Sequence, residues 1–274
     1  MLFGHDDKIK IFKNLVKEGS LAQSYLFFGE SHIGKYLFAK MFANYLERGK
    51  FEDLDLPLTE ALIISPNEGS IKIKEVRRAK YFLSQKPVNS PKRILIIDDA
   101  NNMTSQAQDA ILKITEEPPP NALILIITSG LDTISDTLKS RLQKIYFARL
   151  KNIDIKKMLI EKYNIEAKKA DLLTQESLGK PGLAVMAINQ EQFRTGRSLA
   201  HQIQKKAINK RKIIEEVLED PLLIDPFITT LLADLSKDPL KNIAILSSIM
   251  DRVVKISDFT TNKRLQLEAA LWNI

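Results

Sequence analysis

The chain has 274 residues, of which 44% are hydrophobic and 27% charged, enough for two or three domains with packed cores. It has no cysteine, which excludes disulfides and thiolate zinc sites and fits a reducing compartment, so we expect a cytoplasmic protein. The net charge of +7 permits contact with nucleic acid, although on charge alone a solvated basic surface is favoured. The longest apolar run, residues 122–127, is far short of the ~20 residues that span a bilayer, and no signal peptide is expected.

The first 150 residues alternate between predicted helices and strands. A helix capped by Asp6 and stopped by Gly19 comes first, and Ser105 and Gln108 are predicted to form a capping box for a later helix that ends at Glu117. Strands are expected at 24–28, 61–64, 92–99, 123–127 and 144–147, with helices at 37–49, 73–85, 105–117 and 135–141 between them. The alternation predicts a doubly wound five-stranded parallel sheet, whose ligand should lie beyond the carboxyl ends of the strands.

Strand signals stop near residue 151, and the rest of the chain is predicted to be helical. Breaks are expected at residues 179–182 and at Pro221, Pro226 and Pro239, with a joint at Gly196. We therefore expect an α/β domain over residues 1–150, a small helical lid domain over 151–196 and a helical collar domain over 197–274.

The loop at residues 29–36 follows the first strand and leads into a helix, the setting that a phosphate-binding P-loop requires. Gly29 and Gly34 would let backbone N–H groups surround an anion at the helix N-terminus, and Lys35 would reach the terminal phosphates of ATP. Tyr36 stands where a serine or threonine would bind Mg²⁺, so the cradle is expected to be degraded and the metal site doubtful. The alternative is a simple turn between a strand and a helix.

Polar residues end two further strands. Asp98 and Asp99 follow an apolar strand in the manner of a Walker B motif, in which Asp98 would approach Mg²⁺ and Asp99 would replace the usual catalytic glutamate with a shorter acid. Thr128 and Ser129 end the fourth strand, where a hydroxyl could bind a γ-phosphate or could equally satisfy local backbone.

Arg141 ends the short helix before the fifth strand. Such an arginine is usually solvated, but it can also project into the nucleotide site of a neighbouring subunit. His5, His32 and His201 are too scattered in the sequence to suggest a metal site.

In this order, the motifs resemble those of the clamp-loader AAA+ family, and most closely its delta-prime type of subunit. The most specific match is at residues 109–119, DAILKITEEPP, which is similar to the family's NALLKTLEEPP. Thr128 and Ser129 match its sensor 1 position, and residues 138–141 match its SRC motif. Further matches lie at residues 23–27, 71–77, 96–100 and 179–184, and the resemblance covers residues 1 to about 190.

The resemblance implies a subunit of the loader that places a sliding clamp on primed DNA for DNA polymerase III. The chain departs from the ATPase members of the family in several features. Tyr36 and Asp99 replace the usual P-loop hydroxyl residue and catalytic glutamate, and Leu142 replaces the cysteine of SRC. The sensor 2 arginine is lacking beside Gly182, and the zinc module is missing. These departures fit a stator with little or no ATPase activity, which supplies Arg141 in trans. Implied partners are the gamma/tau motor and delta subunits, the clamp through the complex, and primed DNA.

Other functions remain open from the sequence. The chain could be an active gamma/tau-like motor subunit of the same loader, a non-replicative AAA+ adaptor, or a P-loop phosphotransferase, although no acceptor site is recognisable. The basic helix with Lys72, Lys74, Arg77, Arg78 and Lys80 could face DNA or could simply be solvated.

Overall fold

The computed structural model describes residues 3–54, 56–67, 69–189, 191–204, 210–220, 223–256 and 263–271. The chain divides into two compact units, Met1–Asp154 and Ile155–Ile274. The first unit holds a β-sheet with helices, and the second is helical in the part of it that the structure describes.

The sheet of the first unit has five strands, all parallel, in the order β2-β3-β4-β1-β5. Its strands are β1 (Ser24–Phe28), β2 (Ala61–Ile64), β3 (Arg93–Ile97), β4 (Ala122–Thr128) and β5 (Gln143–Tyr146). Every predicted strand is present with its ends within two residues, and the predicted doubly wound parallel sheet is confirmed.

The strand register gives the sheet two chemically different ends. Phe28, the last residue of β1, lies beside Thr128 of β4 and Tyr146 of β5, whereas Ser24, the first residue of β1, lies beside Ile124. We call the side where the strands finish the carboxyl end of the sheet, and the side where they begin the amino end. Because all the strands run the same way, loops that follow strands gather at one end and loops that precede them at the other.

Helices cover both faces of the sheet. They are α1 (Asp6–Lys17), α2 (Lys35–Arg48), α3 (Ile73–Ser84), α4 (Ser105–Glu116) and α5 (Asp136–Ser140). On one face, Phe12 of α1 contacts the rings of Tyr25, Phe27, Phe38 and Phe42, and all five rings are buried. On the other face, α3, α4 and α5 pack on Leu26 and its neighbours. The continuous apolar runs of β3 and β4 are explained by this two-sided burial.

Two predicted helix caps are wrong. Asp6 is the first helical residue of α1, and His5 occupies the capping position. Helix α4 is capped by Thr104, whose hydroxyl accepts a hydrogen bond from the Ala107 N–H. Gln108 is not part of a capping box, because its amide instead donates to the Thr133 carbonyl and accepts from the Ser135 N–H. A tertiary contact thus replaces the expected local one.

The second unit contains α6 (Asn152–Tyr163), which begins just before it, and then α7 (Ala167–Glu176), α8 (Pro181–Asn189), α9 (Glu191–Ile203), α10 (Lys210–Glu219), α11 (Ile224–Leu235), α12 (Pro239–Ile256) and α13 (Lys263–Ala270). The core around Phe227 joins α9, α10 and α11 with parts of α12 and α13. Pro226 and Pro239 lie in the first turns of α11 and α12, where proline is tolerated. The break expected at Pro221 lies outside the described residues.

Gly196 does not interrupt the chain, because it lies inside α9. A side chain there would come within about 3.0 Å of the Leu223 carbonyl and 3.1 Å of Pro226, so the glycine lets α9 approach the start of α11. The expected boundary at residue 150 is close to the division between the units. The further division into lid and collar at residue 196 stays a prediction. No helix within the described residues is both long and apolar enough to cross a membrane.

Candidate functional site

The P-loop lies at the carboxyl end of the sheet, between β1 and α2. Gly34 precedes α2 with a φ of +97°, and Gly29 follows β1 with a φ of +137°. A Cβ on Gly29 would lie 2.2 Å from the Phe147 carbonyl oxygen, so only glycine fits between the loop and the chain leaving β5. The predicted strand–loop–helix setting is therefore present, with both glycines where the backbone requires them.

Lys35 is the first residue of α2 and is only 7% exposed. Its ammonium group donates hydrogen bonds to the carbonyl oxygens of Gly29 and Glu30 in its own loop. Lys35 is also close enough to Asp98 for its charge to favour the ionised carboxylate. The fold thus brings the lysine of the P-loop and the first Walker B acid close together at the carboxyl end of the sheet.

The two Walker B positions differ in environment. Burial raises the pKa of the Asp98 carboxyl, and the charge of Asp99 adds to the rise, while the Asp99 N–H and the Lys35 ammonium oppose it. Asp99 is exposed and left-handed, with a φ of +53°, and starts the short 3₁₀ turn Ala100–Asn102. Its N–H donates to Asp98 Oδ1 at 3.1 Å. The second acid therefore belongs to a turn as well as to the site.

Tyr36 occupies the position at which a P-loop normally carries a small hydroxyl residue. Its ring is 38% exposed. Partial burial raises the pKa of the phenol, the Lys40 ammonium opposes the rise, and the charges of Asp98 and Asp53 add to it. The phenol is thus close enough to Asp98 and Asp53 to be affected by their charges. It is also much larger than the serine or threonine hydroxyl that binds a metal in other P-loops.

Thr128 and Ser129 end β4 at the same end of the sheet. The Thr128 side chain is fully buried, and its hydroxyl donates to the Gly130 carbonyl at 2.7 Å and accepts from the Gly130 N–H at 3.3 Å. Ser129 is exposed. For Thr128 the local backbone role is the one observed, and a role toward phosphate stays a prediction for both residues.

Two long-range contacts at the P-loop were not foreseen from the sequence. Glu30, inside the loop, forms a two-point ion pair with Arg149, with distances of 2.6 and 2.8 Å. His5 is buried and donates from Nε2 to the Ile33 carbonyl at 2.8 Å. Burial lowers the pKa of His5 against the opposing effect of that hydrogen bond, so the ring is neutral near pH 7. For the ion pair, the sequence offers one signal, the acidic Glu30 inside the P-loop. Its partner cannot be identified from the sequence, because Arg149 is 119 residues away.

Arg141 lies at the amino end of the sheet, away from the P-loop. It follows α5, and its carbonyl accepts a hydrogen bond at 3.2 Å from the hydroxyl of Ser24, the first residue of β1. The P-loop begins after Phe28, the last residue of β1. A five-residue strand spans about 16 Å at ~3.3 Å per residue, so the Arg141 backbone and the P-loop are separated by the length of β1.

The Arg141 side chain is 49% exposed and contacts Glu116, with 3.1 Å between the guanidinium and Oε1. The guanidinium is therefore not buried against the core of its own unit. No shared site is formed between Arg141 and the residues at the carboxyl end.

The five basic residues predicted on helix α3 and its N-cap are all exposed: Lys72, Lys74, Arg77, Arg78 and Lys80. Arg77 and Lys80, together with Lys113 of α4, line a groove of about 360 Å³ between the two helices. Asp109 lies in the same groove. The surface is basic, and its contact with DNA stays a prediction.

A five-stranded parallel sheet in this order, with a P-loop after β1 and a helical region after β5, defines an AAA+ protein. Solved structures agree in fold. A DNA polymerase III gamma subunit-related protein from Thermotoga maritima aligns with a TM-score of 0.52 at 21% identity, over 95% of this chain and 97% of that one. The Holliday junction branch migration motor RuvB from the same organism aligns with a TM-score of 0.54 at 14% identity, over 88% of this chain and 76% of that one.

Residues 4–151, just over half of the chain, match the family described as DNA polymerase III, delta subunit. The chain belongs to this family. It is 28% identical over 172 residues to DNA polymerase III subunit delta' of Bacillus subtilis, covering 56% of this chain and 50% of that protein. It is 26% identical over 235 residues to subunit gamma/tau of Mycoplasma genitalium, covering 81% of this chain and 38% of that protein. The chain thus spans half or less of the length of these curated relatives.

Proposed function

We propose that this protein is a delta-prime-type stator subunit of the DNA polymerase III clamp loader, which supplies Arg141 to the ATP site of a neighbouring motor subunit. The observation that carries the proposal is the position of Arg141: it is half exposed, at the end of the sheet opposite its own P-loop. Arg141 and its own P-loop lie at opposite ends of β1, a strand of about 16 Å, so the guanidinium is placed to act on a nucleotide held by another chain. The names of the related proteins support the loader as its setting.

In the neighbouring site, Arg141 would act by electrostatics. The guanidinium is a delocalised cation with several N–H donors, suited to the oxygens of a phosphoryl group. As negative charge develops on the transferred group, these donors would stabilise it, a role worth ~10³–10⁵ in rate. Such an arginine must be held on a rigid element, and the hydrogen bond from β1 to the Arg141 carbonyl does so.

The protein's own site fits phosphate better than it fits Mg²⁺. Gly29, Gly34 and Lys35 have the backbone and charge to hold the phosphates of ATP. The donor set for a hydrolytic metal does not fit, because Tyr36 is bulky where a small hydroxyl is needed. Asp99 also starts a turn and is shorter than the glutamate that polarises water. We therefore propose that any ATP held here is bound without productive turnover.

An active gamma/tau-like motor is the alternative, and one observation favours it. The gamma/tau relative aligns with 81% of this chain, more than the 56% for the delta' relative, and Lys35 and Asp98 are both retained. We prefer the stator because Tyr36 and Asp99 affect the metal and the attacking water, on which hydrolysis depends. The two proposals predict different rates of ATP turnover by the purified chain.

The test is to measure ATP turnover by the purified chain and then to mix it with motor and delta subunits, a sliding clamp and primed DNA. The stator predicts background turnover by the chain alone. It also predicts a complex, seen by native mass spectrometry, that contains this chain and hydrolyses ATP when DNA is added. Robust Mg²⁺-dependent turnover by the chain alone would favour the motor. Failure to enter any complex would overturn both.

A further inference from the structure

Arg141 is held by one carboxylate at the surface of its own unit. Glu116, the last residue of α4, contacts the guanidinium at 3.1 Å, and the two side chains are 41% and 49% exposed. Among the described residues, Glu116 is the one side-chain partner of this guanidinium. The recorded contact joins Nη2 of Arg141 to Oε1 of Glu116, and a guanidinium carries five N–H donors, more than one carboxylate oxygen can accept.

The backbones that carry the pair are both fixed to the start of β1. Ser24 donates from its hydroxyl to the Arg141 carbonyl at 3.2 Å. Gln23 donates from its amide to the carbonyl of Pro119, three residues after Glu116, at 3.1 Å. The Gln23 carbonyl in turn accepts from the Ile124 N–H of β4 at 2.8 Å. The chain segments that carry Glu116 and Arg141 are therefore both anchored to the start of β1.

We propose that Glu116 is a positioning residue for Arg141. It orients the guanidinium at the surface, so that further N–H donors of Arg141 can bind phosphate oxygens of the neighbouring subunit. The inference rests on the proposed function, since it assigns a role only if Arg141 acts in trans.

The exposure of the pair suits this role. A long arginine side chain loses rotamer freedom when it is fixed, and a partner that fixes it beforehand removes part of that cost from the reaction. An exposed carboxylate–guanidinium pair is weak and is screened by salt, so it orients the side chain without competing strongly against a phosphoryl group. A buried pair in its place would hold the arginine within its own chain.

The experiment compares variants of Glu116 with the same variants of Glu117, the adjacent exposed acid, in the reconstituted loader. We expect Glu116→Gln to lower the DNA-stimulated kcat about two- to fivefold, the range of an exposed pair. The KM for ATP should stay unchanged, because Glu116 does not belong to the nucleotide site. Glu116→Lys should lower kcat further by repelling Arg141, and Glu116→Asp should recover part of the loss. Glu117→Gln and Glu117→Lys should stay close to wild type.

Salt supplies a second readout that a merely structural role would not give. The difference between wild type and Glu116→Gln should shrink as ionic strength rises, because the pair is screened. Melting temperature and assembly are measured on every variant, so loss of fold is seen directly.

Two failures can be told apart with Arg141→Ala in the same assay. If Arg141→Ala leaves turnover unchanged, the proposed function fails and this inference fails with it. If Arg141→Ala lowers turnover while the Glu116 variants behave like the Glu117 variants, the positioning role alone is overturned. A rise in KM at constant kcat in Glu116→Gln would also overturn it.

Discussion

The two ends of the same parallel sheet differ in how they hold the two basic residues of the sequence motifs, Lys35 and Arg141. At the carboxyl end, the Lys35 ammonium is buried and bonded to its own loop, Glu30 is paired with Arg149, and the Thr128 hydroxyl is bonded to Gly130. At the amino end, Arg141 is half exposed and held by one contact. The lysine of the nucleotide motif is thus turned into its own loop, whereas the arginine at the opposite end lies at the surface.

The difference shows that the two ends of one parallel sheet can carry separate chemical groups. The loops that follow strands and those that precede them lie at opposite ends of a parallel sheet, so they can change independently. Substitution of the P-loop hydroxyl position by Tyr36 need not disturb the turn that carries Arg141. Retention of the sheet is required for both, since β1 connects the P-loop to the Ser24 anchor.

The largest expected effect tests whether the stability of the protein depends on the close packing of the P-loop at the carboxyl end of the sheet. Gly29→Ala places a side chain at a φ of +137° and 2.2 Å from the Phe147 carbonyl, and should destabilise the protein by about 4 kcal/mol. Gly49→Ala is the matched control, because Gly49 also has a positive φ, +73°, but no atom lies within 4 Å of its Cβ. It should cost about 1 kcal/mol. Urea unfolding measures both, and equal losses would mean that the loop does not depend on this close approach.

A smaller effect on stability is expected from a second ion pair at the amino end, where Glu60 and Arg93 form a buried pair at 2.6 Å. Burial raises the pKa of the Glu60 carboxyl, but the N–H groups of Asn89 and Val88 and the Arg93 guanidinium outweigh it, and the net pKa is lowered. This stabilisation is therefore present above the unfolded pKa, about 4.5, and is lost as the pH falls through the lower folded pKa.

Glu60→Gln should cost about 3 kcal/mol at pH 7, because it leaves a buried guanidinium without its carboxylate. The difference from wild type should narrow as the pH falls below the unfolded pKa, about 4.5, and through the lower folded pKa of Glu60, because the wild-type carboxyl is then protonated. Unfolding at a series of pH values gives this difference directly. A difference that stays constant with pH would show that Glu60 contributes through packing alone. The structural pair is thus expected to affect stability, in contrast to the exposed Glu116–Arg141 pair.

The fold could be predicted largely from the sequence because its signals are local. Each strand of the sheet is a short apolar run, and the P-loop is defined by glycines whose backbone angles only glycine adopts readily. Local signals also placed Lys35 and Asp98 after strands of one parallel sheet, and the structure brings them close enough for their charges to interact.

The features that the sequence did not predict depend on contacts between distant residues. Gln108 was predicted to cap its own helix, but its amide binds the backbone at Thr133 and Ser135, which no spacing within α4 indicates. The pairs Glu30–Arg149 and His5–Ile33 are separated by 119 and 28 residues. Gly196 was predicted to be a joint because glycine often ends helices, whereas here it serves close packing of α9 on α11.

The most direct test of the contrast between the two ends is the DNA-stimulated ATP turnover of a reconstituted loader that contains Arg141→Ala. Lys144→Ala is the matched control, since Lys144 is an exposed cation on β5 three residues away. We predict that Arg141→Ala assembles normally and lowers turnover at least tenfold, because the site next to this chain loses a group worth ~10³ or more, while Lys144→Ala stays within about twofold of wild type. Wild-type turnover by an intact Arg141→Ala complex would contradict the account.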